Sequence, residues 1–130
     1  MTTSQLLEAA RKALEVAREA LDRGYVLSFT GNVTFKANDH LREAARLAPA
    51  GQLLVETDAP FLTPHPRRGK RNGPYLIAHT IRFLSEQLDW DEASCCEQLR
   101  RNTLAAYGGP WEDVHGVTPL QLLASGEETR

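Results

Sequence analysis

The feature that most constrains the fold is a pair of short apolar segments separated by a helix-like stretch. Tyr25–Thr30 is built mainly from aromatic, branched and small residues, and Leu53–Thr57 opens with three branched apolar residues, as strands commonly do. Between them, apolar residues recur at helical spacing up to Leu47, and Asn38 is the predicted N-cap of that helix. A strand, a helix and a strand in this order form a right-handed unit, so we expect the two strands to be parallel.

A long amphipathic helix is expected before the first strand. Apolar residues at helical spacing predict it over Ser4–Arg23, and Gly24 stands where a left-handed residue commonly ends a helix. Sixteen of the nineteen residues Gln5–Arg23 are Ala, Glu, Lys, Leu or Arg, a proportion above that of ordinary long helices. This composition is typical of a segment selected for helicity, so an engineered or altered N-terminal helix is one interpretation.

Two more helices are predicted after the second strand. One starts at Pro74, a residue suited to the first helical turn, and runs to Leu88. The next runs to Tyr107, and Asp89 with Glu92 has the spacing of a capping box at its start. Residues 1–108 are therefore expected to form the main unit, and residues 109–130 a C-terminal extension with a short helix of its own.

The second predicted strand leads directly into two carboxylates and a basic loop. If the chain stays extended, Glu56 and Asp58 point to one side and Thr57 to the other. Parallel sheets carry their chemistry at the carboxyl ends of the strands, which is where Asp58 falls. The loop Ala59–Gly73 follows with four fixed positive charges. Its candidate phosphate-binding residues are His65, Arg67, Arg68, Lys70, Arg71 and Asn72. A metal-binding acid beside an anion-binding loop is suited to phosphate ester chemistry.

Two simpler interpretations of the same stretch stay open. Surface carboxylates are common, so Glu56 and Asp58 could be a solvated strand end. The basic loop could equally be a stiff, solvated connection between two elements.

Together these motifs resemble the TatD family of metal-dependent hydrolases. Leu53–Pro60 followed by Arg68–Asn72 is similar to the C-terminal part of that family, Gly24–Lys36 to its seventh-strand segment and Arg101–Gly108 to its closing helix. The resemblance implies a (β/α)8 barrel with deoxyribonuclease activity. Because a complete barrel needs roughly 250 residues and the chain has 130, the expected fold class is α/β, a partial barrel fragment with two parallel strands and about four helices.

The resemblance also implies a divalent metal in the parent family. That family holds it with a His-x-His pair, a Glu, two further His and an Asp at the end of the last strand. Only the Asp has a counterpart here, Asp58, which becomes the catalytic and metal-binding candidate. None of the four histidines (His40, His65, His79 and His115) forms a His-x-His pair, and His79 is expected to make a structural contact. We therefore expect this chain alone not to bind the metal tightly.

The resemblance is broken immediately after the basic loop. Family members commonly have Asn-Glu-Pro there, whereas this chain has Asn72-Gly73-Pro74. The lost carboxylate weakens the case for an intact ancestral site.

Composition narrows the possible partners and setting. The net charge of −2 gives no overall attraction to nucleic acid or membrane, so any such binding has to be local. Cys95 and Cys96 are adjacent and are the only cysteines, which excludes a disulfide framework and favours a reducing, cytoplasmic setting. No apolar stretch is long enough for a membrane-spanning helix, and no membrane partner is expected.

Three functional hypotheses remain. The first is a barrel fragment that is inactive alone and structural or oligomeric; the second is an active nuclease completed by another chain. The third is a module that binds phosphate or nucleic acid weakly through the basic loop, although the loop lacks the interleaved aromatic residues that stack on single strands. A homo-oligomer is expected in any case, because two parallel strands leave two open edges.

Overall fold

The computed structural model describes residues 1–108, and the predicted extension of residues 109–130 lies outside that part. Two parallel strands and four α-helices make up the described part, which confirms the α/β prediction and the parallel pairing. In chain order they are α1 (Thr3–Asp22), β1 (Leu27–Phe29), α2 (Asp39–Leu47), β2 (Leu53–Val55), α3 (Ile77–Leu88) and α4 (Glu92–Tyr107). Leu27 pairs with Leu53 and Phe29 with Val55.

Both strands are shorter than the sequence predicts. Tyr25 lies beyond α1 but is still tied to its last turn, because its backbone N–H donates to Ala20 O. At the other end of β1, Thr30 begins a 3₁₀ turn over Gly31–Thr34, and its hydroxyl oxygen accepts from Asn32 N–H. β2 stops at Val55, and three residues later the backbone of Asp58 is in the left-handed region with φ 53°.

The core lies where the sheet meets α2, α3 and α4. Leu53 in β2 and Leu84 in α3 are each only 2% exposed. The buried cluster consists of Ala17, Phe29, Val33, Ala44, Ala45, Leu53, Leu84, Cys95 and Leu99. Burial of these apolar side chains gives the main stabilisation, at about 25 cal/mol for each Å² removed from water. The cluster holds the carboxyl ends of both strands, and so the loops that follow them, against a packed interior.

One predicted helix cap is wrong. Asp89 does not cap α4, because it ends α3 in the left-handed conformation with φ 55°. Asp91 is the cap instead: its backbone is extended and its carboxylate accepts from Ser94 N–H at 2.8 Å. An N-cap residue needs extended backbone dihedrals, and Asp89 does not have them.

Two other helix starts differ in detail. Asn38 occupies the N-cap position of α2, but its side chain makes no capping bond and donates instead to Asn32 O at 2.9 Å. The segment Pro74–Leu76 is a 3₁₀ turn, and the α-helix proper starts at Ile77. None of the helices in residues 1–108 combines the length and the apolar composition needed to cross a bilayer.

Candidate anion-binding loop and strand end

Asp58 lies three residues beyond the end of β2 and is exposed. Glu56 still follows the sheet, since its N–H donates to Phe29 O at 3.0 Å and its carboxylate accepts from Ser28 Oγ at 2.6 Å. At Asp58 the backbone turns into the left-handed region with φ 53°. The extended alternation on which the shared side of Glu56 and Asp58 depended therefore does not continue to Asp58.

Asn72 fastens the far end of the basic loop to its start. Its side-chain amide donates to Thr57 O at 2.8 Å and to Phe61 O at 2.7 Å, and its Oδ1 accepts from Gly73 N–H. Asn72 is buried, so both amide hydrogens are used inside the loop. This placement differs from the expected phosphate-binding role, because the amide group of Asn72 faces the inside of the loop.

The loop after β1 packs against the basic loop and supports it. Thr34 is buried; its hydroxyl donates to Gly31 O at 2.7 Å and accepts from His65 N–H at 3.0 Å. Gly31 is pressed against the same loop, since a Cβ added there would lie 2.2 Å from Leu62 O. The two loops are thus packed backbone to backbone.

A buried arginine holds that bracing loop in shape. Arg42 of α2 is 8% exposed, and its guanidinium donates to Val33 O at 2.8 Å and to Phe35 O at 2.7 Å. It also donates to Lys36 O at 3.1 Å and pairs with Asp39. Because buried carbonyl groups need hydrogen-bond partners, this one side chain satisfies a turn that has few regular backbone bonds.

The predicted basic residues separate into two groups. Arg68 lies over the ring of Phe35, with its guanidinium carbon 3.8 Å from the ring centroid, and His65 meets the same ring edge-on at 6.3 Å. The second group lines a cleft of about 490 Å³ on the loop. The lining residues of that cleft are Arg67, Lys70, Arg71, Tyr75, Leu76 and His79.

The cleft therefore collects three fixed cations, one histidine and an exposed aromatic ring. A cluster of this kind attracts phosphate groups, and the attraction weakens as salt rises. Within residues 1–108 the arrangement is suited to holding an anion. The sequence pattern indicated the three cations but not Tyr75, and His79 was expected to make a structural contact.

The cysteines offer no nucleophile in this region. Cys95 and Cys96 are unbridged and lie in α4. Burial raises the pKa of the Cys95 thiol to about 11, which keeps it protonated near neutral pH. Its role is packing in the core cluster.

Comparison with known proteins shows which family this chain resembles. The family described as TatD related DNase matches residues 7–108. The chain belongs to the TatD family. Its relatives include a Mycobacterium tuberculosis protein named as the uncharacterized metal-dependent hydrolase TatD, with 45% identity over 96 residues, covering 74% of this chain and 36% of that protein. A Bacillus subtilis protein named as the uncharacterized metal-dependent hydrolase YabD is 47% identical over 72 residues, covering 55% of this chain and 28% of that protein.

A solved TatD structure shares the fold. The crystal structure of YJJV, a TatD homologue from Escherichia coli, aligns with a TM-score of 0.68 and 26% identity, over 75% of this chain and 38% of that one. The two parallel strands and four helices are thus a partial TatD barrel, as expected from the sequence. The chain spans only about a third of the length of these TatD relatives.

The described residues do not fit a TatD metal centre by themselves. The relatives are named as metal-dependent hydrolases, and a catalytic divalent cation needs about three protein ligands. Nowhere in residues 1–108 do three or more His, Cys, Asp or Glu side chains converge on a possible metal position. Within residues 1–108, Asp58 is thus a single candidate ligand, one carboxylate where about three ligands are needed.

Proposed function

We propose that this chain is the C-terminal part of a TatD-type metal-dependent hydrolase that acts on DNA phosphodiesters. In this proposal the basic loop holds a phosphate of the substrate, and Asp58 contributes one of several metal ligands. The observation that carries the proposal is the cleft lined by Arg67, Lys70 and Arg71 of the basic loop and by His79 of α3. The basic loop starts directly after Asp58. The C-terminal placement rests on the sequence resemblance alone, in which Gly24–Lys36, Leu53–Asn72 and Arg101–Gly108 follow one another in the order expected for the end of a family barrel.

In this proposal the chain alone can bind a phosphate group but cannot form the metal centre. Arg67, Lys70 and Arg71 are exposed, so they can meet a phosphate without first breaking internal contacts. Asp58 can serve as a ligand or base only when further ligands are brought beside it, since residues 1–108 supply no group of three. We therefore infer that the chain alone binds polyanions and does not hydrolyse them.

Plasmid cleavage tests this division. Wild type and Asp58→Ala are incubated with supercoiled plasmid and Mg²⁺, Mn²⁺ or Zn²⁺. We expect equal, background nicking for both proteins with every metal. Metal-dependent nicking by wild type that disappears in Asp58→Ala would show that the chain assembles a working centre and would refute the inactive-fragment interpretation.

We further propose that a second copy of this chain pairs with the outer strand edge of β1. In residues 1–108 each strand has one strand neighbour. β2 is tied to α4, because the Asn102 side-chain amide donates to Leu53 O at 2.8 Å and to Ala50 O at 2.6 Å. β1 instead borders a groove of about 330 Å³ lined by α1, α2 and residues 26–30. An unpaired edge beside an apolar groove favours strand pairing.

Light scattering coupled to size exclusion at low micromolar concentration tests the assembly. We expect the mass of a dimer or a higher closed oligomer. A cooperatively folding monomer would refute it and would mean that the helices protect both strand edges.

In the same proposal residues 109–130 form an extension outside the family unit.

A further inference from the structure

α1 has a second apolar face that the rest of residues 1–108 leaves largely uncovered. Its first apolar face packs on the body of the protein, where Ala17 is buried and Leu14 packs against the core cluster. On the neighbouring face, apolar residues recur at spacings of three and four, and Leu6 is 54% and Val16 66% exposed. This second face, called the outer face of α1 below, consists of Leu6, Ala9, Ala13, Val16 and Ala20.

The outer face continues into the groove beside β1. Ala13 lines that groove of about 330 Å³ together with Ala17 and residues 26–30. A surface helix normally presents its polar side to water, and a contiguous apolar patch on the surface commonly marks an interaction site. A copy of this chain that pairs with the edge of β1 is thereby brought next to the outer face.

The charges beside the outer face indicate how a second helix would lie on it. Lys12 and Glu19 flank it on the side turned away from the core, whereas Ala10 and Ala17 flank it on the side turned towards the core. Residues that flank the apolar seam of two helices meet across it, and their charges set the orientation of the helices. An antiparallel pair brings Lys12 of each copy to Glu19 of the other. A parallel pair would instead place Lys12 opposite Ala17 and Glu19 opposite Gly24.

We propose that the outer face of α1 packs against the outer face of α1 in a second copy of this chain, with the two helices antiparallel. The inference rests on the proposed pairing at the edge of β1 and adds the contact that selects and orients the partner. One two-fold axis makes both contacts, because it relates each element to its own copy. The pairs of Lys12 with Glu19 then lie on the outer side of the two helices, and the β1 edges meet on the core side.

Val16→Gln separates a covered face from an exposed one. If Val16 faces water in solution, the change should not affect association, since Gln is at least as good a helix former as Val. In the proposed contact it places an amide group in an apolar seam, so the dissociation constant of the dimer should rise about tenfold. Sedimentation equilibrium over a dilution series measures that constant, and circular dichroism shows whether the helices are kept.

Charge reversal tests the antiparallel orientation. Lys12→Glu or Glu19→Lys alone turns both symmetry-related pairs into like-charge pairs and should weaken the dimer about tenfold at low salt. The double variant restores opposite charges and should associate within about threefold of wild type. Arg18→Glu is the matched control, because Arg18 is exposed on the side of α1 opposite the outer face and, like Lys12, has two acidic neighbours one helical turn away. It should leave the dimer unchanged.

Maleimide labelling of Val16→Cys shows what covers the outer face. Labelling of the thiol introduced at position 16 should be slow in concentrated protein and should become fast on dilution, and peptide masses separate it from Cys95 and Cys96. Protection that is the same at every dilution would mean that another segment of the same chain, such as residues 109–130, covers the face. That result would refute the proposal.

The outcomes distinguish this contact from the proposed function. If wild type is a monomer at low micromolar concentration, the proposed pairing at β1 fails and the helix contact fails with it. If wild type is a dimer that Val16→Gln and both charge reversals leave unchanged, the helix contact is refuted and the pairing at β1 stands.

The double charge reversal and polyphosphate binding complete the test. Lack of recovery in the double variant would refute the antiparallel contact, whereas weakening in each single variant with recovery in the double variant supports it. Polyphosphate binding should be equal in all of these variants, because none of the changed residues lies in the basic loop. The phosphate-binding proposal therefore stands or falls separately.

Discussion

The basic loop and Asp58, at the strand end that precedes it, differ in how much of a functional site each one has. The loop has its supporting contacts, whereas Asp58 lacks companion ligands within residues 1–108. The basic loop is fastened at several points: Asn72 to Thr57 and Phe61, Thr34 to His65, and Thr63 Oγ1 to Lys70 O at 2.7 Å. Asp58 is exposed and, within residues 1–108, belongs to no group that could hold a metal.

This difference indicates which functions a segment of a barrel can perform without the rest of the barrel. Anion binding needs only charges on a well-supported loop, and that support comes from β1, β2 and the loops adjoining them. A metal centre needs ligands converging from several strands around a barrel. The first requirement is met within this segment and the second is not, so the two halves of the proposed chemistry can be tested separately.

The largest expected effect comes from disturbing the contact between the two loops. Gly31→Ala would place a methyl group 2.2 Å from Leu62 O, and overpacking against backbone should cost about 3 kcal/mol of unfolding free energy. Urea unfolding measures it. Gly51→Ala is the matched control, because a Cβ there meets nothing within 4 Å and stability should hardly change. Equal stability of the two variants would mean that the loops are not packed as described.

A smaller loss is expected when the loop fastening is removed. Asn72→Ala leaves the carbonyls of Thr57 and Phe61 without their amide donor, which should cost about 2 kcal/mol in urea unfolding. Asn72→Asp keeps the shape but presents an acceptor to both carbonyls, so it should be at least as destabilising. If Asn72→Asp is as stable as wild type, the side chain is not buried against these carbonyls.

The smallest effect on stability, and a clear one on binding, is expected from the cleft cations. Replacing Arg67, Lys70 and Arg71 together by Ala should leave the unfolding free energy within about 0.5 kcal/mol, since all three are exposed surface residues. Binding of polyphosphate should be lost, and the wild-type salt slope should reflect at most about three phosphates at 0.9 each. Arg68→Ala serves as the contrast, because Arg68 rests on Phe35 and should reduce binding much less. An equal effect of Arg68→Ala would refute the division of the basic residues into two groups.

Local patterns in the sequence predicted the helices well, and they did so for physical reasons. Apolar spacing located α1 and α2, helix-start signals indicated α3 and α4, and Gly24 adopts the expected left-handed conformation with φ 80°. α4 ends at Tyr107 as predicted. Strand ends were less predictable, because the turns at Thr30 and Asp58 depend on side-chain bonds and backbone dihedrals that apolar patterns do not encode.

The site was predicted only in part, because its support is long-range. His65 N–H and the Thr34 hydroxyl are 31 positions apart, and no spacing rule joins them. Asn72 looked like a polar loop residue free to bind phosphate, yet the path of the loop turns it inward. Tyr75 lay outside the cation-rich segment in the sequence and joins it only through the 3₁₀ turn.

The most direct test of the central claim compares oligonucleotide binding with and without a divalent metal. Wild type and Asp58→Ala are titrated against a labelled single strand in EDTA and in Mn²⁺ at equal ionic strength. If the loop holds phosphate and the segment has no metal centre of its own, the four dissociation constants should agree within about twofold, a difference of about 0.4 kcal/mol. Binding that tightens tenfold or more with Mn²⁺ in wild type, but not in Asp58→Ala, would contradict the account.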